Sequence, residues 1–168
     1  SLQYIGDVCI AGNFEITINK MHKSFLAFFI AEVSSKVLQE NEENRELFNF
    51  IWGTANELYK SKKTDLNFAL KYLLNLSRFL GFYPSLYEIN KPFFNLESGN
   101  FCNKINVKKI FLNKEKSSYL KALLSNQEVI IPKEKKSDFL RELLRYYKLH
   151  HYNLDGITSH IVIQTLRS

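Results

Sequence analysis

Between Leu66 and Leu80 the apolar residues Leu66, Leu70, Leu73 and Leu80, with Ala69, Leu76 and Phe79 beside them, recur at steps of three and four. Asn67, Lys71, Asn75 and Arg78 occupy the opposite side. That spacing predicts a two-faced helix, with Thr64 or Asp65 as its cap. The helix runs into Gly81-Phe82-Tyr83-Pro84, where Gly81 suits a left-handed C-terminal cap and Pro84 cannot continue the helix.

The same reasoning extends along the chain. The first 18 residues alternate loosely, with Leu2, Tyr4, Val8, Ile10, Phe14, Ile16 and Ile18 among turn formers, which predicts one or two short strands. A helix is expected from an Asn19 cap to about Leu38, with Leu26, Phe29, Ile30, Val33 and Val37 on one side. A second, from about Arg45 to Lys60, carries Leu47, Phe48, Ile51, Trp52, Ala55, Leu58 and Tyr59. From Gly81 to Asn113 the helical period breaks, and Phe82, Tyr83, Tyr87, Phe93, Phe94 and Phe101 lie among Asn and two prolines. So many aromatics need burial, so this is an ordered loop region with short strands near Phe93 and Phe101. Helices resume at about Lys116 to Ser125 and Lys135 to His151, separated by Pro132, and Ser159 caps a last short helix through Leu166. The fold class is mainly α, without an internal repeat of fixed period.

Composition narrows the partners. With 168 residues and 45% apolar content the chain can bury one substantial core. Its 23 Lys and Arg against 17 Asp and Glu give a net charge of +6, which favours nucleic acid or an acidic protein segment. Cys9 and Cys102 form no disulfide framework and read as free thiols in a reducing compartment. The apolar run Phe25 to Val33 is broken by Glu32 and is far shorter than the roughly 20 residues a membrane span requires. No signal peptide or lipidation motif is visible, and a start at Ser1 without Met is read as a piece of a longer protein.

Catalytic and metal chemistry find little support. His150 and His151 are adjacent, about 100° apart on a helix, whereas two ligands on one face need three- or four-residue spacing. Cys102 reads as a small hydrophobe among aromatics. Asp155-Gly156-Ile157-Thr158-Ser159-His160 lacks a nucleophile elbow and reads as a turn followed by a helix cap. Cations are more informative. Arg141, Arg145 and Lys148 fall at i, i+4 and i+7, preceded by Lys133, Lys135 and Lys136, and form a ridge able to follow phosphates, with Tyr146 or Tyr152 offered for stacking. A solvated helix face is the alternative. Lys71 and Arg78 make a sparser stripe, suited to an acidic peptide that ends in an aromatic residue.

Four segments in order resemble the RecO family: Leu2-Gln3-Tyr4-Ile5; Phe29-Ile30-Ala31-Glu32-Val33 with Lys36-Val37-Leu38; the Asn67 to Pro84 helix and its stop; and Tyr146-Tyr147-Lys148-Leu149-His150. The stretch Phe94 to Phe101 and the segment Ser159 to Leu166 are similar to Bacteroidetes-like members. The resemblance implies an N-terminal OB-fold, of which residues 1–18 would be the last strand and linker, and a helical C-terminal domain over 19–168. In zinc-bearing members the loop after the central helix holds paired cysteines. Here 81–113 has a degenerate zinc-finger-like position with Cys102 alone, so no metal or other cofactor is expected. The segment before Ser159 also departs, with Thr158 where a Lys is common.

What the resemblance further implies is a cytoplasmic, nucleoid-associated, non-enzymatic mediator of DNA repair and recombination. It would bind single- and double-stranded DNA, promote annealing and work with RecR to load recombinase. It would also bind the acidic, Phe-ended tail of single-strand-binding protein at Lys36 and Lys71, with Arg78 added from face geometry, while Arg141, Arg145 and Lys148 would meet DNA. The alternative is a helical scaffold that binds no DNA.

Overall fold

The computed structural model describes residues 21–38, 43–62, 65–104 and 109–157. Along them run α1 (Met21–Val37), α2 (Arg45–Lys60), α3 (Phe68–Phe79), β1 (Phe93–Asn95), β2 (Asn100–Cys102), β3 (Phe111–Leu112), α4 (Lys114–Leu124) and α5 (Lys133–Leu149). The chain is mainly α, as its periodicity predicts. The strands expected in the first 18 residues, the Asn19 cap and the helix after Ser159 lie outside the described residues.

α1 buries the five residues its spacing singles out, Leu26, Phe29, Ile30, Val33 and Val37. Each such side chain contributes roughly 2 kcal/mol of apolar transfer free energy. α2 begins with a capping bond, Asn44 Oδ1 accepting the Leu47 amide at 2.9 Å, and buries Leu47 and Leu58. Phe50 and Ile51 are half-buried against the core, whereas Phe48 and Trp52 are exposed, their rings nearly parallel with centroids 6.5 Å apart.

α3 is less two-faced than its sequence suggests, because it packs against α1, α2 and α5. Leu70, Leu73 and Leu76 are buried as expected, and so are Tyr72, Leu74 and Ser77. Tyr72 and Ser34 of α1 share a buried 3.0 Å hydrogen bond, which satisfies two polar groups that would otherwise be costly there. The helix starts later than expected. Asp65 Oδ1 accepts the Asn67 amide at 2.7 Å in a tight turn, so Leu66 precedes the helix and is exposed. Asn67, expected on the polar side, is buried and donates through Nδ2 to the Val129 carbonyl at 2.8 Å.

The end of α3 follows the sequence signal. Gly81 has φ +86°, the Phe82 amide donates to Ser77 O at 3.0 Å, and the Gly81 amide donates to Arg78 O at 3.4 Å. This is the Schellman arrangement. α4 and α5 close in the same way, with Asn126 (φ 52°) and His151 (φ 72°) in the left-handed position.

The aromatic segment after Pro84 folds into a three-stranded antiparallel sheet in the order β2-β1-β3, pairing Phe94 with Phe101 and with Leu112. Ser117 of α4 locks it, accepting the Phe94 amide at 3.0 Å and donating to Leu112 O at 3.2 Å. Phe82 is packed by Tyr146, Tyr147, His150 and Tyr152, with ring centroids 4.8 to 5.5 Å away. The residue just past the α3 cap thereby anchors the C-terminal end of α5.

Candidate partner-binding and nucleic-acid surfaces

Lys36, Lys71 and Arg78 have different immediate surroundings. Lys71 lines a cleft of about 400 Å³ between α2 and α3, with Phe50, Phe68 and Tyr72 as its apolar wall and Glu57 and Asp65 as acidic members. Its ammonium group lies 2.6 Å from Asp65 Oδ2. Partial burial pushes the Asp65 carboxyl up, but the hydrogen bonds from Lys71 and the Asn67 amide outweigh it and hold the group below its ordinary range. Lys71 thus already has an internal carboxylate partner.

Lys36 is exposed at the last turn of α1, next to Val37 and Leu38. Those two, with Leu47, Phe79, Leu80 and Tyr152, line a second cleft of about 120 Å³. The two clefts have no lining residue in common. Arg78 precedes Phe79 of the smaller cleft, and its guanidinium carbon sits 4.3 Å from the Tyr83 ring centroid, a cation–π contact.

Arg141, Arg145 and Lys148 do form an exposed ridge on α5, yet each has an acidic neighbour. Arg141 lies 3.2 Å from Asp138, Arg145 3.9 Å from Glu142, and Lys148 2.6 Å from Asp155. Lys116 of α4 bonds the same two carboxylates, Asp138 at 3.2 Å and Glu142 at 3.3 Å, and its hydrogen bond is the main reason the Asp138 carboxyl is held below its usual range. The stacking partner offered by Tyr146 is withdrawn, because that ring is buried and its hydroxyl donates to Phe82 O at 2.6 Å. Tyr152 is half-buried against Phe82.

His150 and His151 have structural surroundings. His150 stacks on Phe82 at 5.0 Å, with its Nε2 3.1 Å from Leu96 O, while His151 leaves the helix in the left-handed conformation. Cys102 is half-buried, its thiol donating to Lys104 O at 3.4 Å. Among the described residues no group of three or more His, Cys, Asp or Glu could hold a metal ion. Among them, too, no helix is long and apolar enough to cross a membrane.

One cationic pair was missed by periodicity. Lys114 and Lys121 lie over the rings of Phe93 and Phe101. A helix start placed at Lys116 leaves Lys114 outside α4. The Asn113 cap, which takes the Lys116 amide at 2.8 Å, is the signal that would have included it.

A helical bundle carrying a small sheet between its third and fourth helices is the architecture that a family model described as Recombination protein O C terminal matches over residues 19–155. That span takes in every described helix and strand. The chain belongs to the RecO family. It is 29% identical over 154 residues to the DNA repair protein RecO of Christiangramia forsetii, covering 89% of this chain and 64% of that protein. It is 28% identical over 155 residues to the DNA repair protein RecO of Azobacteroides pseudotrichonymphae, again 89% and 64%. A shorter match of 82 residues to the protein of that name from Bacteroides fragilis is 35% identical, 48% of this chain and 34% of that one. The chain therefore spans a little under two thirds of the first two relatives. No solved structure matches it significantly.

Proposed function

We propose that this chain works in DNA repair and recombination as the helical part of a non-enzymatic cytoplasmic mediator. In this role it contacts DNA, the acidic tail of single-strand-binding protein and RecR, to promote strand annealing and recombinase loading. The observation that carries the reading is the family match across 19–155. It is supported by the net charge of +6 and by two clefts that combine apolar walls with a cation on or beside them.

For the tail, Lys71 lines one candidate pocket, Lys36 adjoins in sequence Val37 and Leu38 of the other, and Arg78 adjoins in sequence Phe79 of that same smaller cleft. At Lys71 an incoming carboxylate must replace Asp65, a modest cost because the pair is partly exposed. Titrating the full chain with an acidic peptide ending in Phe, at low and high salt, tests this. Binding that weakens with salt and falls on Lys36→Gln or Lys71→Gln supports it, and no binding at either salt sinks it.

A helical scaffold without DNA binding is the second reading. The ion pairs of Arg141, Arg145 and Lys148 favour it for α5, since a paired, solvated face is what they describe. Charge reversal at Arg141 and Arg145 discriminates: unchanged DNA affinity and salt slope would assign α5 to the scaffold.

A further inference from the structure

α4 carries a second cationic side with a different character. Lys114 and Lys121 are seven residues apart, which puts them on one side of the helix about 10 Å from each other. Lys114 Nζ lies 5.8 Å from the Phe93 ring centroid and Lys121 Nζ 5.4 Å from that of Phe101. The rings orient both ammonium groups without neutralising them. Exposed Ser118 stands between them, small enough to allow close approach. Lys104 follows β2 at the end of the sheet where Phe93 pairs with Cys102.

The charges here are unpaired. Neither Lys114 nor Lys121 has a carboxylate partner among the described residues, in contrast with the three cations of the α5 ridge. Glu115, the adjacent acid, is held by Lys135 at 3.0 Å and Tyr119 at 3.1 Å. Lys114 is moreover the first residue of α4, at the positive end of the helix dipole, where a cation is unfavourable by itself and an anion is favoured. Asn113 caps the Lys116 amide, leaving the Lys114 and Glu115 amides without a protein acceptor among the described residues. Free amides at a helix start favour an anion there.

We infer that the Lys114–Lys121 side of α4, extended by Lys104, is a docking surface for the phosphate backbone of DNA. The inference rests on the DNA-binding reading above and gives it a location away from the α5 ridge. With Cα atoms about 10 Å apart on one side of the helix, two long lysine side chains can reach successive phosphates of one strand. An acidic peptide that needs an apolar pocket beside its cations is better served by the two clefts described above, neither of which is lined by α4.

The test is a titration of the full chain with oligothymidylate across a salt series. For Lys114→Gln/Lys121→Gln, affinity at 0.1 M salt should fall about tenfold or more, and the slope of log K against log salt should shrink by about 1.4. Lys114 is exposed and Lys121 half-buried, and glutamine keeps most of the aliphatic stem, so the melting temperature should hold. Salt-dependent binding that is identical in the variant would overturn the α4 surface while leaving the DNA reading intact. Wild-type protein that binds no oligonucleotide would overturn both. Polyglutamate binding that is lost in the same variant, with oligothymidylate binding kept, would overturn it in favour of an acidic protein segment.

Discussion

A Cβ at Gly99 would lie 2.9 Å from the hydroxyl oxygen of Tyr146, the same hydroxyl that donates a 2.6 Å hydrogen bond to Phe82 O. Three parts of the chain meet there: the β1–β2 turn, the segment after α3, and α5. Gly99 has φ +67°, so a side chain is disfavoured by backbone and by neighbour alike. Gly99→Ala should therefore destabilise the fold by about 2 kcal/mol or more, since the buried tyrosine cannot swing aside without losing its bond. Tyr146→Phe should cost about 1–2 kcal/mol, the effect of leaving a buried carbonyl unpaired. Urea unfolding of both variants measures this, and a neutral Gly99→Ala would contradict it.

The helix caps predict opposite signs for two substitutions. Gly81→Ala places a side chain at φ +86° and should cost roughly 1 kcal/mol, whereas His151→Gly relieves a left-handed non-glycine residue at φ 72° and should gain a similar amount. Thermal melts of the pair check the sign, and a destabilised His151→Gly would reveal a contact that His151 makes and glycine cannot.

Alkaline pH should unfold the protein through its buried tyrosines. Burial pushes Tyr72 up to about 12, the bond with Ser34 only partly opposing it, and burial likewise raises Tyr146 and Tyr147 well above the ordinary value. The folded state thus keeps protons that the unfolded state releases above about pH 10. Stability is fully present below that pH and declines as pH rises through the folded values, by up to about 1.4 kcal/mol per pH unit for each tyrosine. Tyrosinate absorbance should rise together with the loss of helical circular dichroism, and titration of all the tyrosines without unfolding would contradict the burial.

Because Lys36 and Lys71 stand at clefts with no common lining residue, their substitutions should act independently on acidic-peptide binding. If the peptide uses one cleft, only one of Lys36→Gln and Lys71→Gln should weaken it. If two peptides bind, the double variant should show the sum of the single effects. Strong coupling between the two, measured by calorimetry, would contradict separate pockets.

Much of this was legible from periodicity. α1 and α2, the Gly81 cap and the strands at Phe93 and Phe101 follow from local pattern, because turn chemistry and a one-sided apolar stripe act within a few residues of chain. The resemblance carried by four segments led to the family that the match over 19–155 shows. The candidate surfaces were less legible. Lys36 and Lys71 came from the resemblance and Arg78 from helix-face geometry, and neither carries the packing of α2 on α3 that makes Lys71 line a cleft with Phe50 and Tyr72.

The sequence by itself determined the order of helices and turns and the buried stripe of α1, since spacing, caps and aromatic content act locally. Only the tertiary structure decided that α3 is buried on three sides, that Phe82 is enclosed by the end of α5, and which cations keep their charge free. Asp138, Glu142 and Asp155 pair with the conspicuous α5 ridge, whereas Lys114 and Lys121 lie over phenylalanine rings. Charge pairing depends on distances of a few ångströms between side chains, and those distances are set by how the helices pack, which periodicity along one helix does not contain.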